Sequence, residues 1–286
     1  MKKSWHGYLL IGPMLLGCVL FYIAPFFLVI RYSFVEGYGR SSAFVGFAHY
    51  RQMIENEMFR SAFGNTMRFL AFALPIIMVL AYLVALLLKA GVGGNNLLKS
   101  VFLLPYIMPV AGTVMLIDLL FAESGVLNSM LSALHIPVAD WLNSPQSFWI
   151  VLLLYLWKST GYSAILLLAG LVTIPTEQYE AADLDGASPW QKFLYITTPQ
   201  MWHTVFIALV FSVINAFKCF REIFLIGGEH PYPDIYMLQH FINNSFQNLN
   251  YARLAVASVL LFVILVSVFA ILYAWINRGG KGEIDR

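Results

Sequence analysis

The chain alternates long apolar stretches with shorter polar segments, and six apolar stretches are long enough to cross a membrane. They lie at about residues 8–30, 66–88, 100–121, 147–172, 203–227 and 254–277. The hydrocarbon core of a bilayer takes about 20 residues of helix, and lipid cannot satisfy the backbone of a lone strand. The pattern therefore predicts an all-α membrane protein with six transmembrane helices.

The composition excludes a soluble globular protein. Of the 286 residues, 60% are hydrophobic and 11% are charged, whereas soluble domains carry about 25% charged residues. The formal net charge of +2 is too small to indicate nucleic acid or anionic substrates. Cys18 and Cys219 both fall in apolar stretches, which indicates small buried side chains instead of a disulfide or a metal pair.

An even number of spans places both termini on one side of the membrane, and the basic residues indicate which side. Cytoplasmic segments carry an excess of Lys and Arg. Cytoplasmic termini put eight basic residues inside and six outside, with no lysine outside. The inner set is Lys2, Lys3, Lys89, Lys99, Lys192, Arg278, Lys281 and Arg286, and the outer set is Arg31, Arg40, Arg51, Arg60, Arg68 and Arg253. We therefore expect cytoplasmic termini.

This arrangement divides the chain into three parts. An N-terminal span with an outer loop covers residues 1–65, a five-span core covers 66–277, and a cytoplasmic tail covers 278–286.

Five apolar residues of the outer loop recur at roughly helical spacing, which predicts a short amphipathic helix on the membrane surface. They are Tyr50, Met53, Ile54, Met58 and Phe59. This helix is either a docking edge for an external partner or simple packing against the membrane.

The polar segment at about 173–200, between the fourth and fifth spans, begins with the signals of a short helix. Thr176 is placed to cap that helix, and Glu177 in its first turn complements the helix dipole. Glu180, which Ala181 and Ala182 follow, continues it with good helix formers. Gly186 stands where a helix often ends in the left-handed conformation.

A second short helix is predicted directly afterwards. Ser188 is its cap, Pro189 its first residue, and Gln191 completes a capping box. Pro199 is expected to end this helix before the fifth span. Two short helices joined by a sharp glycine turn form a compact knob, which either docks into a soluble partner or serves as an ordinary connector.

The residues of this segment resemble the EAA loop of permease subunits in ATP-binding-cassette importers. The matching residues are Glu180, Ala181, Ala182, Asp185, Gly186, Ala187, Phe193, Ile196 and Pro199, with a departure at Thr198, where Leu is usual. The resemblance implies that this loop is the cytoplasmic contact through which an ATPase drives the transmembrane helices. It also implies that Glu180 and Gly186 lie at the ATPase contact.

Other segments resemble the carbohydrate-uptake branch of that family, of the maltose and glycerol-phosphate type. They are FVGFAHY at residues 44–50, LPY at 104–106, GVLN at 125–128 and AFKCF at 216–220. The resemblance implies a sugar importer in a bacterial or archaeal inner membrane, built from two different permeases, two ATPase copies and an external solute-binding protein. ATP and Mg would then belong to the partner ATPase, and this chain would be a transport subunit without cofactor or enzymatic activity.

A few polar residues within the spans are candidates for the substrate path, because a charge at the centre of a span is costly and usually faces protein or water. They are Tyr155, Lys158, Asn215, Lys218 and Arg221. Lys218 and Glu222 are four residues apart and can pair on one helix. The alternative for each residue is contact between helices or extension of the side chain toward the interface.

The sequence also lacks the motifs of other classes. It contains no Walker lysine motif and no His, Cys or Glu cluster with metal-ligand spacing. A permease for a non-sugar solute and a secondary transporter remain the alternatives. A secondary transporter predicts an inverted repeat with broken helices in both halves, and the sequence has no such repeat.

Overall fold

The computed structural model describes residues 5–37, 42–91 and 95–280 and is helical apart from one small hairpin. The helices are α1 (Trp5–Cys18), α2 (Ala24–Ser33), α3 (Ala48–Glu55), α4 (Glu57–Lys89), α5 (Asn95–Ile107), α6 (Val110–Phe121), α7 (Val126–Ala133), α8 (Ser147–Leu171), α9 (Thr176–Leu184), α10 (Pro189–Lys192), α11 (Thr198–Lys218), α12 (Phe220–Gly227), α13 (Leu238–Gln247) and α14 (Tyr251–Gly280). Turns of π-helix cover Val19–Ile23 and Phe193–Thr197, a 3-10 turn covers Pro233–Ile235, and the strands are β1 (Val35–Glu36) and β2 (Ala43–Phe44).

Six helical segments among the described residues are long and apolar enough to cross a membrane, which confirms the predicted number. They are Ile11–Ser33, Glu57–Lys89, Val110–Ala133, Ser147–Leu171, Pro189–Gly227 and Tyr251–Ala274. The prediction of one continuous third span at 100–121 was wrong. The helix stops at Ile107 and restarts at Val110, because Pro109 has an extended backbone (φ −60°, ψ 147°) and a proline disfavours helix in the residue before it.

The chain forms two compact units, and the first comprises Met1–Ala62 and Phe241–Leu265. In it, β1 and β2 pair antiparallel, with Val35 opposite Phe44. The predicted amphipathic helix exists as α3, but it ends at Glu55, so Met58 and Phe59 belong to the long helix α4 instead. Within α3, Met53 is buried and Ile54 is exposed, as an amphipathic helix requires.

The second unit comprises Phe63–His240 and Val266–Arg286, and its core lies between α4, α8 and α11. Small residues recur where these helices meet; those that are fully buried include Ala73, Ala81, Ala85, Ala164 and Ala208. Helices in membranes gain little from the hydrophobic effect, so their association depends on close packing, which small side chains permit.

Helices α8 and α5 approach each other closely at Gly161. A Cβ at this position would lie 1.8 Å from the carbonyl oxygen of Phe102. We expect Gly161→Ala to destabilise the protein toward the upper end of the range of about 1–3 kcal/mol seen for overpacking, because the obstacle is backbone and has no rotamer to change. The measurement is the unfolding temperature of the purified protein in detergent.

The matched control is Gly64→Ala in α4, where nothing lies within 4 Å of the new Cβ. This variant should be neutral or slightly more stable, since alanine is favoured over glycine in a helix by about 1 kcal/mol. Equal unfolding temperatures for the two variants would contradict the close packing of α5 on α8.

Candidate functional site

The connector between α8 and α11, residues 172–197, begins with α9. Pro175 is the N-cap, with no side-chain hydrogen bond, and Thr176 is the first helical residue. The prediction that Thr176 caps this helix was therefore wrong by one position, because Pro175 already has the non-helical backbone of a cap (φ −59°, ψ 135°). Glu177 lies in the first turn, as predicted, where a carboxylate interacts favourably with the helix dipole.

A glycine turn joins α9 to α10. Gly186 has φ +75°, its N–H donates to the carbonyl of Asp183 at 3.1 Å, and the N–H of Ala187 donates to that of Ala182 at 2.9 Å. These two bonds define a Schellman motif, in which glycine is favoured. The predicted capping box of α10 is also present, formed by Ser188 and Gln191.

The prediction that Pro199 ends the second helix was wrong. The chain stays helical from Pro189 to Gly227, through a π-turn directly before α11. A proline removes one N–H from the helix ladder, and π-turns and hydroxyl side chains re-satisfy freed carbonyls. Within this π-turn the N–H and the hydroxyl of Thr198 both donate to the carbonyl of Phe193, the hydroxyl at 2.9 Å.

Side-chain contacts link the parts of the connector to one another and to α4. Lys192 Nζ forms a salt bridge with Asp183 Oδ1 at 2.6 Å, which joins α10 to α9. The hydroxyl of Tyr179 lies 2.9 Å from that of Thr197, and Lys89 Nζ at the end of α4 lies 4.6 Å from the Tyr179 ring centre. Tyr179 therefore ties α9 to the end of α4 and to the last turn of the connector, which continues directly into α11.

The predicted coupling residues divide into an exposed and a packed group. Glu180, Ala181, Asp185 and Gly186 are exposed, Ala182, Ala187, Ile196 and Pro199 are half-buried, and Ile196 packs on the core formed by α4, α8 and α11. Sequence reasoning missed two apolar side chains, Leu184 at 91% exposure and Trp190 at 66%. The sequence feature that could have identified them is a large apolar residue within an otherwise polar loop.

A cavity of about 290 Å³ lies inside the second unit, where three stretches of chain meet that are either breaks between helices or carry polar side chains. Its walls come from the break around Pro109, the middle of α8, and the end of α11 with the start of α12. The cavity is lined by all five predicted path residues, namely Tyr155, Lys158, Asn215, Lys218 and Arg221. The Tyr155 hydroxyl already donates to the carbonyl of Ser212 at 2.8 Å, so this tyrosine forms a wall and has no free donor.

An ion pair crosses the cavity wall between α8 and α12. Lys158 Nζ lies 2.5 Å from Glu222 Oε1, and both side chains are largely buried, at 16% and 6% exposure. Lys158 Nζ is also 3.5 Å from the Thr113 hydroxyl of α6. The pairing of Lys218 with Glu222 that the spacing allowed is not formed, because Glu222 is turned inward onto Lys158 while Lys218 is exposed.

Comparison with known families decides what kind of membrane protein this is. Residues 77–280 match the family described as "Binding-protein-dependent transport system inner membrane component". The chain belongs to this family. As an inner membrane component of a transport system, it is a transport subunit, and its six spans are those of a multi-pass membrane protein.

Relatives and solved structures of similar length match this inner membrane component. The trehalose/maltose transport system permease protein MalF of Thermococcus litoralis is 29% identical over 97% of this chain and 95% of its own. The arabinooligosaccharides transport system permease protein AraP of Bacillus subtilis is 29% identical over 93% and 87%. The structure of a bacterial ABC transporter involved in the import of the acidic polysaccharide alginate superposes with a TM-score of 0.84, at 23% identity over 97% and 96%, and shares the fold.

Proposed function

We propose that this chain is the transmembrane permease subunit of an ATP-driven importer for a sugar or oligosaccharide. The observation that carries the proposal is the connector of residues 172–197, a rigid two-helix knob with exposed acidic and apolar side chains in a family named for binding-protein-dependent transport. Relatives named for the transport of trehalose and maltose and of arabinooligosaccharides support the solute class.

The connector is the proposed contact with a separate ATPase chain, which holds ATP and Mg. Glu180 and Gly186 lie at this contact, next to the exposed side chain of Leu184. An exposed apolar residue flanked by charge is what a groove on a soluble partner can bury. The contact requires the connector, and with it both termini, to face the cytoplasm.

The continuous helix from Pro189 to Gly227 links the connector to the cavity. At a rise of 1.5 Å per residue, the 26 steps from Pro189 to Asn215 span about 39 Å. The salt bridge of Lys192 with Asp183 ties α9 to the start of this helix. A displacement of the connector by the ATPase is therefore delivered to the cavity wall, and the cavity opens to one side of the membrane and then to the other.

The complete importer contains a second permease, two ATPase subunits and a solute-binding protein on the outer side. We expect gentle solubilisation, affinity purification of this chain from its native membrane and mass spectrometry to recover all three kinds of partner. Recovery of folded chain without any ATPase would reduce the connector to a structural link. Uptake that survives a disabled ATPase but stops when the ion gradient collapses would indicate a secondary transporter instead.

A further inference from the structure

Two cations line the cavity without a countercharge. Lys218 and Arg221 are exposed, and neither has a carboxylate within salt-bridge distance among the residues that the structure describes. Both belong to a segment that spans the membrane, where a charged residue almost always faces water, a partner charge or a substrate. These two cations face the cavity.

The other charges of the cavity cancel each other. Lys158 and Glu222 form the buried pair described above, and Glu222 is the only acidic residue among the described residues that line the cavity. The walls formed by the described residues therefore carry two unbalanced positive charges. The small net charge of the whole chain, +2, does not reveal this local excess of positive charge.

Two further features favour an anion at the same place. Helix α6 begins at Val110, which lines the cavity, and the first N–H groups of a helix have no acceptor within it and carry a partial positive charge. Asn215 is 7% exposed, and its Nδ2 is buried without a hydrogen-bond partner in the described part of the chain. An oxygen of a bound solute would satisfy this amide.

We propose that the solute crossing this cavity is an acidic sugar, whose carboxylate or phosphate is bound by Lys218 and Arg221. The inference rests on the importer function proposed above and narrows its solute class. The names of relatives leave the charge open, since they include trehalose and maltose as well as sn-glycerol-3-phosphate. The two unbalanced positive charges of the cavity indicate a negatively charged solute, which the names of the relatives do not decide.

The test uses the assembled importer, with both permeases, the ATPases and the binding protein, in lipid vesicles. ATP-driven uptake is measured for two matched pairs of probes, digalacturonate against galactobiose and glucose 6-phosphate against glucose. We expect uptake of an acidic member and none of its neutral counterpart. Uptake confined to a neutral member would overturn the inference while leaving the importer function intact. Absence of ATP-driven uptake of all four probes would overturn the acidic-sugar inference, and the importer function would then be judged by the recovery of the ATPase with this chain.

Variants then assign the selectivity to the cavity. Lys218→Gln/Arg221→Gln should lower uptake of the acidic probe at least tenfold, mainly through KM, whereas Lys218→Arg/Arg221→Lys keeps the charges and most of the uptake. The matched control is Arg31→Gln/Arg253→Gln, which removes two exposed cations that do not line the cavity. Unchanged uptake in the glutamine variant would overturn the assignment, and so would loss of the second permease from that variant, because the cations would then serve assembly.

Discussion

Gly186→Pro is expected to insert into the membrane normally, to lose the ATPase during purification, and to lose at least nine-tenths of ATP-driven uptake. Proline fixes φ at about −65°, whereas the turn between α9 and α10 needs φ +75° at this position. Proline also removes the N–H that donates to Asp183 at 3.1 Å. The connector would lose its shape while the core between α4, α8 and α11 stays intact. ATPase recovered per permease is the direct measurement.

Gly228→Pro is the matched control for this variant. Gly228 also ends a helix with positive φ, and its N–H donates to Phe224 at 2.9 Å. Gly228→Pro disturbs the backbone in a similar way outside the connector and should leave ATPase recovery unchanged.

Glu180→Lys tests the surface of the connector instead of its fold, since Glu180 is exposed. Like Gly186→Pro, it should reduce the amount of ATPase recovered per permease. Normal uptake by Gly186→Pro or Glu180→Lys would contradict the coupling role of the connector.

The connector could be predicted in detail because its signals are local. The left-handed turn at Gly186 and the capping box of Ser188 with Gln191 depend on the residues themselves and their immediate neighbours along the chain. Such turn and cap chemistry has few competing solutions. The one-residue error at Thr176 is of the size usual for a helix boundary.

The prolines could not be interpreted from sequence alone. Pro109 breaks the third span, while Pro75 and Pro105 lie inside helices and Pro199 follows a π-turn within a continuous helix. The same ring has opposite effects because the outcome depends on which neighbouring groups satisfy the carbonyl that the proline leaves without a donor. Those groups are fixed by the local geometry of the folded chain and not by the proline.

The ion-pair partner of Glu222 could not be predicted from its neighbours in the sequence either. The spacing rule for helices pairs it with Lys218, four residues away, but the structure pairs it with Lys158, 64 residues away. Which face of α12 turns inward is decided by the packing of α12 against its neighbours. Polar residues within the spans could therefore be identified as candidates, whereas their partners required the fold.

Lys158→Met is expected to be more damaging than the double variant Lys158→Met/Glu222→Gln. The single change leaves the Glu222 carboxylate buried, at 6% exposure, without a cation, and breaking a buried ion pair on one side costs about 3–5 kcal/mol. The double variant removes both charges, so most of this loss should disappear. Unfolding temperatures in detergent for the wild type, both single variants and the double variant show the coupling, as a loss in the double variant that is smaller than the sum of the two single losses.

Uptake measured on the same four proteins separates a structural tie from a role in the path. If the pair only holds α8 to α12, the double variant should be stable and transport normally, and Lys158 would leave the set of path residues. We expect instead that the double variant regains stability but transports several-fold more slowly, because Lys158 lines the cavity as well as bridging its wall. An unfolding temperature of Lys158→Met equal to that of the wild type would contradict the buried pair itself, since an uncompensated carboxylate at that position cannot be without cost.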